Sequence, residues 1–316
     1  MRISELRPQP DDFEFDLKKA LTSVVSVSTK ISDDAMTAGV LGTERTGNGV
    51  VIRDNIVLTI GYLLTEADTV WLTSGSATTP GHVLGYDQTT GFGLVQALGQ
   101  LNLPALPLGD SSAAKVGDPV IIAGAGGLDH AVQAHIVAKQ EFAGYWEYLL
   151  DEAIFTAPAH PHWGGTGLID GEGKLIGIGS LQVEHSDPEG DNFDLNMVVP
   201  IDLLKPIVDD LMKIGRAQRP PRPWLGLYTA EIDNQIVVAG IASDGPAEET
   251  GLEVGDIIIG VDGEEVLDLA QFFRAVWALG PAGVEVPLEV HRDGETLEVT
   301  VPSADRSKLL KGPVIH

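Results

Sequence analysis

No cysteine occurs in this chain, which excludes thiol nucleophiles, cysteine-ligated zinc and disulfides, and leaves both reducing and oxidising compartments open. Positive charge is scarce as well. Lys and Arg number 20 against 46 Asp and Glu, a formal net charge of −26, so the averaged field repels phosphate backbones and anionic lipid surfaces. Neither nucleic acid nor a membrane is expected as a partner, and the acidity itself reads as colloidal solubility. No apolar run reaches membrane-spanning length, and residues 1–12 hold no apolar h-region. Cytoplasmic location is therefore the expectation for the chain as given, or periplasmic if a leader has been removed. Only eight histidines are present, scattered along the sequence, so no metal site and no cofactor is expected.

What is abundant is turn chemistry. The 37 glycines and 19 prolines punctuate short runs rich in Val, Ile and Thr, a pattern of many strands joined by tight turns. Such runs occur at Val24–Ser28, Gly49–Ile52, Ile56–Thr59, Val70–Leu72 and Gly93–Val95. They continue at Pro119–Ala123, Ala131–Val137, Ala153–Thr156, Lys174–Ile178 and Asn196–Val199, enough for two six-stranded barrels. Leu17 to Leu21 forms a short amphipathic entry segment. Helical spacing over Ile201 to Ile214 ends at Gly215 and predicts a helix closing the first domain. The basic, proline-rich stretch 216–223 reads as a linker. Beyond it come strands at Gln235–Ile241, Asp256–Val261, Val284–His291 and Thr296–Val301, with helices expected at Ala247–Gly251 and Leu269–Leu279. The resulting plan is an arm at 1–20, a first domain at 21–215, the linker, a second domain at 224–303 and a tail at 304–316. The Ala123-Gly124-Ala125-Gly126-Gly127 stretch lacks the Gly-Lys-Ser/Thr ending of a phosphate loop and reads as a barrel turn.

An ordered succession of small motifs runs through this plan: Gly47-Asn48-Gly49-Val50-Val51-Ile52, Val57-Leu58-Thr59, Leu108-Gly109-Asp110-Ser111, Val116-Gly117-Asp118, Gly164-Gly165, Leu175-Ile176-Gly177-Ile178 and Val198-Val199-Pro200. In the second domain follow Pro223-Trp224-Leu225-Gly226-Leu227, Gly245-Pro246-Ala247, Gly255-Asp256-Ile257-Ile258 and Val261-Asp262-Gly263. From about Val24 to about Val301 the chain resembles the HtrA/Deg family of serine proteases. The resemblance implies a mainly β protein, a trypsin-like double β-barrel followed by a PDZ domain.

Hydrolysis by that machinery needs a histidine base beside a serine hydroxyl, a carboxylate fixing the histidine, and backbone N–H groups for the oxyanion. The resemblance puts Tyr62, in Leu58-Thr59-Ile60-Gly61-Tyr62, at the histidine position, and a phenol is a poor base at neutral pH. It puts Gly91 at the aspartate position, four residues after Asp87. It puts Trp163 at the serine position and Pro161, which has no N–H, at one oxyanion position. The expectation that follows is a catalytically inactive protein with no catalytic residues. Trp163 and Tyr62 are read as filling the vacated cleft, His160 and His162 as loop histidines near the surface. Thr166 and Ser180 are hydroxyls without a neighbouring base in the sequence.

For the second domain, the resemblance implies β-augmentation: an extended peptide adds to a sheet edge and its terminal carboxylate meets backbone N–H groups. Leu225, Gly226 and Leu227 supply that carboxylate loop, and Phe273, Val276 and Trp277 are the candidate groove residues, some lining the groove and others packing in the core; against this stands the reading that all are core, which suits Phe272 best. The partner expected is a protein or peptide with an extended or C-terminal segment. A homo-oligomer, a trimer built on Phe13 and Phe15, or a place in a larger complex is a further expectation, against which these two rings pack on their own barrel. The functional expectation is a scaffold or regulatory pseudoprotease. Two other readings stay open: an active serine endopeptidase using other residues, and a purely structural subunit.

Overall fold

The structure, a computed structural model, describes residues 6–186, 190 and 192–312; the ends of the expected arm and tail, 1–5 and 313–316, lie outside the described residues. After a short helix α1 (Leu17–Leu21), six strands form the first barrel: β1 (Val24–Ile31), β2 (Glu44–Arg53), β3 (Ile56–Ile60), β4 (Ala67–Ser74), β5 (Ala77–Tyr86) and β6 (Phe92–Ala97). It closes in the order β1-β2-β3-β6-β5-β4. A second set follows: β7 (Pro119–Ala123), β8 (Ala131–Gly144), β9 (Tyr148–Ala157), β10 (Gly167–Ile169), β11 (Leu175–Ser186) and β12 (Asn192–Pro200). This barrel closes as β10-β11-β12-β9-β8-β7. Closure removes exposed sheet edges, and each interior is filled by branched aliphatics, Val25, Val27, Val57, Leu72 and Val95 in the first, Val120, Ile122, Ile136, Ile154 and Ile176 in the second. The two expected six-stranded barrels are present.

Two expected helices differ. The segment from Ile201 opens with one 3₁₀ turn (Ile201–Leu203) and becomes α-helical only at Val208–Ile214. Pro206 lies in the interruption; it has no N–H to donate and disfavours a helical conformation at the residue before it. The helix stops, as expected, at Gly215 in the left-handed region, φ 75°. The segment Ala247–Gly251 is a series of turns instead of a helix. The Thr250 hydroxyl bonds back to the Ala247 carbonyl at 2.7 Å and Gly251 turns left-handed at φ 85°, which ends any helical continuation.

The remaining strands form one antiparallel sheet, β13 (Leu227–Ile232), β14 (Gln235–Ile241), β15 (Ile257–Val261), β16 (Glu264–Glu265), β17 (Glu285–Arg292) and β18 (Glu295–Pro302), ordered β13-β14-β15-β17-β18 with β16 beside β15. A ten-residue helix (Leu269–Ala278) is capped by the Asp268 side chain accepting from the Gln271 N–H. Its Phe272, Phe273 and Val276 are buried with Ile236, Val238, Val286 and Val301 in one apolar core. Asp256, almost wholly buried, receives two bonds of 2.6 and 2.7 Å from the Arg292 guanidinium. That pairing holds its carboxyl below the usual range.

The chain folds as two compact units, and the division does not follow sequence order. Residues 141–151, the tip of the β8–β9 hairpin, fold with residues 219–311, while 152–218 fold with the barrels. Leu149 of that tip is buried in the same apolar core as Phe273 and Val276.

Candidate peptide-binding and catalytic sites

The barrel unit holds a cleft of about 500 Å³. Its centre is Asn48 on β2, nearly buried. The Asn48 N–H donates to the Gly164 carbonyl at 2.8 Å, its side-chain N–H group donates to the His162 carbonyl at 2.9 Å, and its side-chain oxygen accepts from the Ala125 N–H at 2.9 Å. One side chain thus ties a strand of the first barrel to two loops of the second. Gly165 passes so close beneath it that an added Cβ would lie 1.8 Å from the Asn48 carbonyl oxygen, and its φ of 76° is itself left-handed. Only glycine fits there. This explains the Gly164-Gly165 pair in the loop.

Tyr62 and Trp163 line the same cleft as Asn48. The Tyr62 hydroxyl donates to the Ser180 carbonyl at 3.0 Å. Burial pushes the phenol well above its ordinary value, with a side-chain hydrogen bond from Trp163 acting the other way. The two aromatic residues therefore meet across the cleft. Gly91 closes a turn whose Asp87 carboxylate accepts from the Thr90 N–H and hydroxyl at 2.9 and 2.8 Å, and the Gly91 carbonyl accepts from the Gly61 N–H. Asp87 is thereby used locally. The Thr166 hydroxyl donates to the Trp163 carbonyl at 2.8 Å and is buried, as is Ser180.

His160 corrects the expectation of a surface histidine. It is fully buried, its Nδ1 accepts from the His162 N–H at 3.1 Å and its Nε2 lies 3.2 Å from the His130 carbonyl. Those partners fix a neutral imidazole with the proton on Nε2. Burial pushes its pKa down to about 4. His162, by contrast, is exposed. Pro161 is also exposed, with no N–H to offer. Ser26 and Thr46 line the same cleft as His130, His160 and His162. Among the described residues, no group of three or more His, Asp or Glu is arranged to hold a metal ion.

In the second unit the carboxylate loop is well formed. Gly226 has φ 78°, which turns the N–H groups of Leu225, Gly226 and Leu227 toward one point. A carboxylate sits there: Glu147 accepts from Leu225 at 3.1 and 3.2 Å, from Gly226 at 3.0 Å and from Leu227 at 3.2 Å. Burial raises the Glu147 carboxyl to about 7, opposed by these N–H groups and by the positive charge of Arg306. Two residues earlier, the Tyr145 carbonyl accepts from the Thr229 N–H on β13 at 2.9 Å. Of the expected groove residues, Phe273 and Val276 are core residues, joined there by Phe272, while Trp277 is half-buried, stacked on Phe273 at 5.7 Å with the Arg222 guanidinium over its ring at 3.9 Å. Glu147 was not found by sequence reasoning. Its signal was weak: a single acidic residue in a run of aromatics, Tyr145-Trp146-Glu147-Tyr148, beyond the predicted end of the strand.

A double six-stranded barrel followed by a sheet with a carboxylate loop defines a trypsin-like peptidase domain with a PDZ domain. The trypsin-like peptidase domain family matches residues 47–178 and the PDZ domain family residues 223–302. The chain is homologous to the DegP/HtrA proteases. A probable periplasmic serine endoprotease, DegP-like, of Pseudomonas putida (strain W619) is 29% identical over 81% of this chain and 55% of its own length. One of the same description from Halomonas elongata is 28% identical over 84% of this chain and 58% of its own length. This chain thus spans little more than half the length of these relatives. The HtrA-type protease AlgW with a decapeptide has the same fold, with TM-score 0.54 at 22% identity over 94% of this chain and 98% of that one.

These relatives overturn the functional expectation. The chain had been expected to be a pseudoprotease and no enzyme, acting as a scaffold or regulatory subunit; the homologues are named serine endoproteases, which favours the active-protease alternative. Of the two expected locations, the cytoplasmic one finds no support, and the homologues are named periplasmic, in line with the alternative. The inactive reading rested on the positions of Tyr62, Gly91 and Trp163 alone and left out the other hydroxyls that line the cleft, Ser26 and Thr46.

Proposed function

We propose that this chain works on polypeptides in the class of its relatives, as a serine endopeptidase of the periplasm whose PDZ domain captures an extended segment by its terminal carboxylate. One observation carries the capture step: three successive N–H groups, at Leu225, Gly226 and Leu227, converge on a carboxylate at the end of the edge strand β13. That is the donor arrangement by which β-augmentation fixes a chain end. The peptidase step rests on the relatives' names and on the cleft, which has room for a peptide side chain.

The chemistry of that step differs from the usual arrangement. An indole carries no oxygen, so Trp163 does not attack a carbonyl, and the half-buried Tyr62 phenol holds its proton too tightly to serve as a base at neutral pH. The nucleophile is accordingly a hydroxyl elsewhere in the cleft; Ser26 and Thr46, which share its walls with His130 and His162, are the candidates. Incubating the full chain with an unfolded protein, and separately with a fluorophosphonate, tests this by mass spectrometry. Cleavage, with the label mapped to Ser26 or Thr46 and abolished by S26A or T46A, is the expected result. Intact substrate and an unlabelled chain would remove the peptidase step and leave capture alone.

A further inference from the structure

The carboxylate in the PDZ loop belongs to the protein itself. The turn Tyr145-Trp146-Glu147 joins β8 to β9, and along it the chain runs antiparallel to β13: the Tyr145 carbonyl meets the Thr229 N–H, and two residues on, Glu147 reaches the N–H groups of Leu225 to Leu227. This is the polarity a captured peptide would have, entering along β13 and ending at the loop. A peptide would present its chain end there. The turn cannot, because the chain continues into β9, so it presents a side-chain carboxylate instead. The cost is visible in the backbone. Glu147 has φ 61°, a left-handed conformation uncommon for a residue with a Cβ, and strain of this kind persists only where the surroundings hold it.

We propose that the turn 145–147 is an internal ligand of the PDZ domain, with Glu147 seated where the terminal carboxylate of a captured polypeptide goes, so that capture requires its displacement. The occupant it competes with is a polypeptide bearing a free C-terminal carboxylate and an extended backbone. The inference rests on the capture reading above. Neighbouring contacts suit a ligand that lifts and returns. Leu149 stays anchored in the PDZ core, which keeps the turn close and its effective concentration high. The flanking ion pairs of Arg274 with Glu141 and Asp151 are solvent-exposed, and such pairs hold little. Gly144 precedes the turn, and a Cβ there would lie 2.8 Å from the Trp146 ring, so the ring folds back over a position that only glycine leaves open. Because β8 and β9 are staves of the second barrel, a polypeptide that displaces the turn acts on a segment covalently continuous with the peptidase domain.

A binding comparison tests the proposal. An amino-terminally fluorescein-labelled pool of random decapeptides, prepared as free acids and as C-terminal amides, is titrated against the full chain, E147A and E147Q. A site filled by its own ligand for 90–99% of the time weakens an external one by about 10- to 100-fold. Both variants should therefore bind the free-acid pool at least about tenfold more tightly than the unaltered chain, and the amide pool should gain nothing. Equal free-acid affinity in all three would overturn the internal ligand and leave capture standing. Failure of all three to bind would overturn capture, and the inference with it. Should E147A fail to fold, E147Q and hydrogen exchange on the unaltered chain decide: bound free-acid pool should speed exchange at residues 145–147, and binding without that change would refute displacement.

Discussion

His160 shows how a single residue departs from the rule its composition suggests. In a sequence, a histidine between a proline and an alanine in a polar loop reads as a surface group. In the fold its imidazole is buried, with one nitrogen accepting from the His162 N–H and the other facing the His130 carbonyl, and its backbone N–H donates to the Asn196 side chain at 2.6 Å. A charged imidazole would place a proton on a nitrogen that already accepts one. The consequence for stability has a definite sign. The folded pKa, about 4, lies below the ordinary value of about 6.5, so the unfolded chain binds the proton first. Stability that His160 contributes is fully present above pH 6.5 and is lost as pH falls toward 4, by roughly 3 kcal/mol at the end of that window. Urea unfolding midpoints of the unaltered chain and H160Q, measured from pH 7 to pH 4, should converge as the pH falls. Parallel curves would mean that the imidazole titrates normally in the fold.

At the scale of elements, the β8–β9 hairpin is where sequence and structure part company most. The strand pattern ended at Val137 and resumed at Ala153 because alternation fades between them: Lys139-Gln140-Glu141 is polar on both faces, and Tyr145-Trp146-Glu147-Tyr148 is aromatic on both. Both strands in fact run on, to Gly144 and from Tyr148. What holds them extended is partners distant in sequence, Leu149 in the PDZ core and Glu147 in the carboxylate loop. Local periodicity does not report such partners. Leu149 therefore has an effect in an unexpected place. L149A should cost about 2–5 kcal/mol, the usual range for a buried leucine, and the loss should fall on the PDZ unit. Hydrogen exchange should lose protection in β14 and β17 while β1 and β2 keep theirs. Protection lost in the first barrel with β14 and β17 unchanged would contradict the assignment of Leu149 to that core.

Over the whole molecule, what was legible was architecture, because barrels and sheets repeat their signals. Turn residues at regular spacing and alternating aliphatics predicted two six-stranded barrels, and the Trp224-Leu225-Gly226-Leu227 motif predicted the carboxylate loop. Function was less legible. Tyr62 and Trp163 line the cleft and Gly91 lies in the turn after Asp87, and the conclusion drawn from these three positions, an inactive scaffold, is the one the relatives overturn. The two packings invisible to the sequence, Asn48 joining three segments and Glu147 filling the PDZ loop, are both long-range hydrogen bonds made by one polar side chain. Both barrels and sheet position these groups; neither group announces itself by pattern.

The claim on which the account turns is that Leu225, Gly226 and Leu227 bind the end of a polypeptide. Nuclear magnetic resonance of the full chain labelled with ¹⁵N in leucine and glycine reads those three amides directly while free-acid or amidated decapeptides are added in excess. The three signals should shift with the free acids and stay in place with the amides. Signals that ignore both, or follow both alike, would contradict it.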